Sequence, residues 1–386
     1  MTDNVEFPVT SRELRSLVTE DGLLSLSLER VEISEPGAGE LVVRVEGAPV
    51  NPSDVNLMLV GIPASDFAEQ GEGAGRRMVA PIPPAILPRL EHRVGKSMPV
   101  GLEAMGTVVA AGPDLDRFLG KKVAMVGDGN FAEFRKVTPE ACLILPDDTE
   151  PEAGAAAYIN PLTSYSMVET MRAEGHTALV HAPAASNLGQ MLVKLCQADG
   201  IGLVNVVRSE EQVQLLKGLG AEFVLNSNSS SFAEDLAAAV RATGATLAFD
   251  AVSGGELASQ ILTAMEKGNQ AEGVAHNRFA SDVNKQVYIY SNLDPSPIVI
   301  RKEFGLPWAI AGWVLFPVLR KLGTDVVDRM KARILDELDT TFASNFSRSM
   351  TVDQFLEPET LQMAASRTTG GKILLRPWSL APDFPM

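Results

Sequence analysis

Two short stretches carry residue types and spacings that could do chemistry. The first, Pro183-Ala184-Ala185-Ser186-Asn187-Leu188-Gly189, separates an aliphatic run, TALVHA (177–182), from a run with helical periodicity, LGQMLVKLCQADG (188–200). A turn from a parallel strand into a helix leaves backbone N–H groups free at the positive end of the helix dipole, a site that attracts a pyrophosphate. The turn lacks the full G-x-G-x-x-G pattern. Gly189 stands where a missing side chain lets helix and strand pack closely, and Ala184, Ala185 and Ser186 are small. Ala185, Ser186, Asn187 and Leu188 are therefore candidate phosphate-facing residues. The second stretch, Arg208-Ser209, ends the next aliphatic run, LVNVVR (203–208). An acidic residue there would accept from the ribose 2′-hydroxyl of NADH; a guanidinium beside a hydroxyl suits the 2′-phosphate of NADPH. NADPH is thus favoured over NADH, and Glu210 or Glu211, turned inward, would weaken that preference.

Such groups need an open sheet to hold them. After the two runs come EEQVQLLKGLG (210–220), a helix closed by glycine, and the aliphatic runs EFVLN (222–226), ATLAFDAV (245–252) and QVYIYS (286–291). Five strands alternating with helices predict an α/β fold with a doubly wound parallel sheet, a Rossmann domain, over residues 150–318. Leu41 to Val50 and Val100 to Ala111 read as short strands with glycine-rich turns, so residues 1–149 form a β-rich domain. The intervening 61–98, with Pro63, Pro81, Pro83, Pro84 and Pro88, reads as a long surface loop with short helical turns. Past Trp313 one amphipathic helix, about 324–338, precedes short strands such as GKILL (371–375), and residues 319–386 are expected to pack back on the first domain.

Composition narrows the function classes. The 386 residues are 45% hydrophobic and 21% charged, which supplies large cores. A net charge of -16 repels a polyanion and excludes a sequence-independent nucleic-acid binder. The longest apolar stretch, Gly305 to Leu319, contains Pro307 and Pro317 and is shorter than the ~20 residues that span a bilayer, so a buried helix or a subunit interface is expected and no membrane association. The start, MTDNVEFPVTSREL, reads as lacking a basic leader or an apolar run. With only Cys142 and Cys196, a reducing, cytoplasmic setting is expected. His92, His176, His181 and His276 are scattered and read as surface or turn residues. Asn51-Pro52-Ser53-Asp54 and Asn160-Pro161-Leu162-Thr163 each read as a capped helix start.

Several pieces in order, APVNPSDVN (48–56), GLEAMGTVVAAG (101–112), INPLTSY (159–165), HAPAASNLGQ with NVVRS (181–190 and 205–209), DAVSGG (250–255) and GGKILLRP (370–377), resemble the medium-chain dehydrogenase/reductase superfamily, in its zinc-free quinone oxidoreductase and 2-enoyl thioester reductase branch. The resemblance implies a GroES-like β-domain built from both chain ends, a central Rossmann domain, and a cleft where substrate meets nicotinamide. It places Asn51 at nicotinamide and substrate, Ser53 where zinc-dependent relatives keep a proton-relay hydroxyl, and Thr163 against the nicotinamide ring. Catalytic zinc in those relatives is held at positions that fall on Asn51, Leu102 and Ile159, none of which offers a thiolate or imidazole, and two cysteines cannot supply the four-cysteine structural zinc lobe, so no metal is expected. Relatives of this kind are often homodimers joined edge to edge through their Rossmann sheets.

The enoyl thioester reductases of the branch also keep a tyrosine a few residues after NPSD. Here LMLVGIPAS (57–65) has none, and Ile62 stands nearest. Without a metal, hydrogen bonds alone must polarise the hydride acceptor, which suits a small electrophile such as a quinone or an α,β-unsaturated carbonyl compound. The expected function is NADPH-dependent reduction of such an acceptor. The alternatives are an NADPH-binding protein without turnover, serving as a redox sensor or structural protein, and a domain of a larger biosynthetic assembly docked through Trp308, Trp313 and the 305–319 segment.

Overall fold

The computed structural model describes residues 5–269, 281–366 and 372–377. The chain divides into two compact units, Met1–Ile159 with Glu337–Met386, and Asn160–Asp336.

In the second unit six strands run parallel in the order Phe223–Asn226, Gly202–Val207, Ala178–Ala182, Leu247–Asp250, Lys285–Ile289 and Trp308–Gly312. The chain enters at the centre with Ala178–Ala182, winds outward to one side, then returns and winds to the other. This reversal is the doubly wound Rossmann topology, and it opens a crevice at the carboxyl ends of Ala178–Ala182 and Leu247–Asp250. Helices cover both faces, so the central strands Ala178–Ala182 and Leu247–Asp250 are buried at every position and apolar but for His181 and Asp250. On one face Phe232, Leu236 and Val240 of the helix Phe232–Thr243 meet Ile261, Leu262 and Met265 of Leu257–Asn269. Lys285, fully buried at the start of the fifth strand in chain order, pairs with Glu266 at 2.7 Å.

The sixth strand corrects an expectation. Gly305 to Leu319 is not one buried helix: Trp308–Gly312 is the edge strand and Leu315–Leu322 a separate helix. Pro307 and Pro317 bracket the strand and sit where a continuous helix would lose hydrogen bonds. Trp313 is buried edge-on against Phe249 and donates to Thr170 Oγ1 at 3.3 Å, so it is a core residue and not a docking one. Relative to the expected 150–318, this unit begins and ends later. The helix Thr324–Asp336 packs with it, burying Met330 and Ile334, and Arg333 pairs with Asp199 at 2.8 Å.

The first unit holds two antiparallel-rich sheets. One runs Ala68–Gln70, Arg77–Pro81, Leu23–Ile33, Val9–Val18, Ser97–Pro99; the other runs Cys142–Ile144, Lys122–Val126, Glu103–Ala111, Leu41–Pro49, Ile373–Leu375, Arg348–Met350, with Phe134–Val137 also pairing with Leu41–Pro49. Between them lies a core of Leu14, Leu24, Leu26, Val43, Met58, Met78, Phe131 and Phe355. Leu374 and Leu375 pair with Pro49 and Ala48, which returns the chain's late residues to the β-rich unit, as the GroES-like reading requires. The 61–98 segment is more than a surface loop. Its strand Arg77–Pro81 pairs with Leu23–Ile33 and buries Met78, Val79 and Ala80, a short apolar run masked in the sequence by the prolines around it. No helix among the described residues is long and apolar enough to cross a membrane.

Candidate functional site

In the parallel-sheet unit, strand Ala178–Ala182 passes through the turn into the helix Asn187–Asp199. Ser186 is its N-cap: Oγ accepts from Gly189 N–H at 3.0 Å. Gln190 Nε2 donates to Ala185 O at 3.0 Å, and Ala184 N–H to Val206 O at 3.0 Å, which ties the turn to the neighbouring strand. Gly189 is needed for packing, since a Cβ there would lie 2.1 Å from Ala184 O. The Leu188 N–H keeps no protein acceptor among the described residues and stands at the positive end of the helix. Ala185 and Leu188 are buried, Ser186 and Asn187 half-buried.

The strand Gly202–Val207 ends at Arg208, whose guanidinium is exposed and makes no hydrogen bond or ion pair among the described residues. Its backbone is pinned: Arg208 N–H donates to Gln212 Oε1 at 3.0 Å and its carbonyl accepts from Asn228 Nδ2 at 2.7 Å. Ser209 caps the helix Glu210–Gly218, accepting from Gln212 N–H at 3.4 Å. Both glutamates are exposed: Glu210 accepts from Gln214 Nε2 at 2.7 Å along its helix, while Glu211 folds back on the Ser209 hydroxyl. Thr163 is buried in the helix Ile159–Ala173. That helix starts at Ile159, so Asn160 and Pro161 lie inside its first turn and Asn160 is not the cap. Pro161 costs nothing there, because first-turn N–H groups have no helical partner.

The sequence reading missed a buried polar cluster at the carboxyl end of the central strands. His181, read as a surface residue, is fully buried; its Nε2 meets Tyr290 Oη at 2.8 Å and its Nδ1 has no partner among the described residues. Asp250 Oδ1 accepts from Val252 N–H at 2.7 Å and Ser253 N–H at 3.3 Å, and Oδ2 has no partner among the described residues. The available signal was TALVHA itself, since a strand covered on both faces buries every residue it carries. His92 is exposed, and His176 sits in the turn before the first parallel strand, bonded to Thr246 Oγ1 at 2.7 Å. His276 lies outside the described residues.

Burial pulls the His181 pKa down to about 3. An imidazole held neutral in the fold and protonated near its ordinary 6.5 when unfolded lets the unfolded state take up the extra proton, so stability falls as pH drops from 6.5 toward 3. His181→Gln, which retains a hydrogen-bond partner for Tyr290, is expected to flatten that part of the stability profile, measured by urea unfolding between pH 4 and 7. An unchanged slope would remove His181 as its source.

In the β-rich unit Asn51 caps the helix Pro52–Leu59, with Pro52 in its first turn and Asp54 Oδ2 accepting from Asn51 N–H at 2.8 Å. Asn51 is buried and its Nδ2 donates to Glu103 Oε1 at 3.0 Å. Ser53 is exposed on the same turn. Burial raises the Asp54 pKa to about 7, although its bonds from Asn51 and Leu102 N–H favour the ionised form. Ile62, at the tyrosine position, is buried in the core and borders a recess of about 200 Å³ lined also by Val55, Leu59 and Ala365. Asn51, Leu102 and Ile159 offer an amide and two aliphatic side chains, a donor set that does not fit zinc. Among the described residues no three His, Cys, Asp or Glu side chains form a group that could hold a metal.

Residues 188–288 match the family described as zinc-binding dehydrogenase, a span that excludes positions 51, 102 and 159. The chain is 32% identical over 232 residues to the mitochondrial enoyl-[acyl-carrier-protein] reductase of Xenopus tropicalis, covering 56% of this chain and 57% of that protein. It is 28% identical over 211 residues to a reducing polyketide synthase of Cochliobolus heterostrophus, covering 53% of this chain and 8% of that one. The chain thus spans little more than half of the first of these relatives and a small part of the second. A solved structure assigned as an NADPH:quinone reductase of Mesorhizobium loti superposes with a TM-score of 0.71 at 25% identity, over 97% of this chain and all of that one. With the strand order, the capped strand-to-helix turn and the β-rich unit that takes up the late Ile373–Leu375 strand, these matches make the chain similar in fold and sequence to the quinone reductases and enoyl reductases of the medium-chain dehydrogenase/reductase superfamily.

Proposed function

We propose that the protein is a zinc-independent, NADPH-dependent oxidoreductase that reduces a quinone or an α,β-unsaturated carbonyl or enoyl compound. The observation that carries the reading is Arg208: an exposed guanidinium, unpaired among the described residues, at the end of the strand next to the strand-to-helix turn, with Ser209 beside it, Glu210 turned along its helix toward Gln214 and Glu211 exposed. In this reading Arg208 and Ser209 hold the 2′-phosphate, and Ala185, Ser186, Asn187 and Leu188 line the pyrophosphate, with the Leu188 N–H donating. Thr163 packs on the nicotinamide. The bound nicotinamide supplies a hydride. Asn51 donates from its amide to the acceptor carbonyl, and the exposed Ser53 hydroxyl passes the balancing proton from water. The hydride that the cofactor would supply and the proton passed by Ser53 together would balance a two-electron reduction of the acceptor.

Calorimetric titration with NADPH and NADH, followed by a screen of quinones, enals and enoyl thioesters, tests the reading. Arg208→Ala is expected to weaken NADPH binding by about tenfold to a hundredfold, the range for loss of charge-assisted hydrogen bonds, and to leave NADH within about twofold. Equal losses for both cofactors would contradict the assignment. The second reading, an NADPH binder without turnover, is favoured by the buried, apolar Ile62 where a proton-donating tyrosine would stand. Tight NADPH binding with no oxidation by any acceptor would select it.

A homodimer and a reducing, cytoplasmic setting complete the proposal. The edge strand Trp308–Gly312, paired on one side only among the described residues, with Leu306 71% exposed and Val314 and Phe316 also exposed, supports the first, and the free, buried Cys142 and Cys196 support the second.

A further inference from the structure

Positions 51, 102 and 159 come from three separate pieces of the chain, and two buried carboxyl groups tie them together. Asp54 accepts from Asn51 N–H at 2.8 Å through Oδ2 and from Leu102 N–H at 2.9 Å through Oδ1. Glu103 accepts from Ile159 N–H at 2.8 Å through Oε2 and from Asn51 Nδ2 at 3.0 Å through Oε1. Both side chains are almost without exposure, 1% for Asp54 and 0% for Glu103. Each of the four oxygens thus faces an N–H and has no acceptor for a proton of its own, so the geometry suits two carboxylates despite the burial that opposes them. The buried Lys372 Nζ, which makes no hydrogen bond among the described residues, supplies the compensating positive field to both acids. A carboxylate only accepts, so it fixes the Asn51 amide with nitrogen inward toward Glu103 and leaves the second N–H of Nδ2 for another acceptor.

We infer that the Asp54–Glu103 pair does at these three positions the organising work that a metal does in zinc-dependent members of the superfamily, and that Glu103 is the positioning residue that orients the Asn51 amide. The inference rests on the proposed function only for its effect on turnover. Glu103→Gln keeps the shape but has one acceptor oxygen for two donors. Its oxygen can satisfy Ile159 N–H, which turns its NH2 on Asn51. The Asn51 amide then flips to offer Oδ1, and its donor nitrogen moves to where the carbonyl oxygen was. The amide of Asn51, not the fold, is what the substitution reverses.

The test combines kinetics of the full chain, using NADPH and the best acceptor from the screen, with amide spectra. Glu103→Gln is expected to lower kcat by about tenfold to a hundredfold with NADPH affinity within about twofold. Asn51→Ala is expected to give a similar loss, and Glu103→Gln with Asn51→Ala no more than Asn51→Ala alone, because Glu103 acts through Asn51. Multiplying losses would overturn the positioning role. In unsubstituted protein labelled with 15N-asparagine, the Asn51 side-chain amide is expected to show one downfield, slowly exchanging proton that reverts to the free-amide position in Glu103→Gln. A free-amide pattern in the unsubstituted protein would overturn the inference whether or not any acceptor is reduced, and a failure of turnover with the expected pattern would count against the proposed activity alone.

Discussion

Replacing Gly189 with alanine is expected to abolish NADPH binding and to lower the unfolding free energy by about 3 kcal/mol, the upper part of the range for overpacking. The added Cβ would sit 2.1 Å from Ala184 O, 2.6 Å from Ala184 C and 2.9 Å from its Cα. These are backbone atoms, so no side-chain rotation relieves the clash, and the turn itself must move. The movement spoils the cap between Ser186 Oγ and Gly189 N–H and re-aims the Leu188 N–H. Gly218→Ala is the matched control: a Cβ there meets nothing within 4 Å, so stability should hold or rise slightly. Guanidinium unfolding and NADPH titration of both variants decide the matter. Unimpaired binding by Gly189→Ala would show that the turn is not the phosphate site.

Lys285→Met is expected to destabilise the parallel-sheet unit by about 3–5 kcal/mol, because it strands a carboxylate that water cannot reach. Lys285 Nζ donates to Glu266 Oε2 at 2.7 Å, Val283 O at 2.8 Å and Ser281 Oγ at 3.1 Å. Glu266 also accepts from Ser281 N–H at 2.8 Å and Gly305 N–H at 3.1 Å, so one ion pair ties a helix, a strand and the approach to the edge strand. Lys285→Met combined with Glu266→Gln should recover most of the loss, since no bare charge remains buried. Equal unfolding midpoints for the single variant and the parent chain would show that the pair is open to solvent.

The Rossmann half was legible because its strands are continuous aliphatic runs and its helices close with glycines, as at Gly200 after Asp199 and Gly244 after Thr243. Arg208 was legible for a related reason: a strand end fixes where the next residue points. Glu103 and Asp54 were not, because a local pattern gives no sign that two carboxyls from distant segments meet over Asn51. His181 was hidden by the habit of reading histidine as a surface residue in a strand whose neighbours on both sides are core. Trp308–Gly312 escaped because proline and glycine near a short apolar run erase the difference between a helix and a strand.

The outer side of Trp308–Gly312, which pairs with no strand among the described residues, also has a practical consequence. A strand that offers open N–H and C=O groups next to exposed Leu306, Val314 and Phe316 is a template for any extended peptide that meets it. For the proposed homodimer, dilution would bare this edge to partly unfolded copies, so heating at low concentration should give precipitate rather than a refoldable chain. A charged substitution such as Ala311→Lys, at an exposed position of that strand, should keep the heated protein in solution.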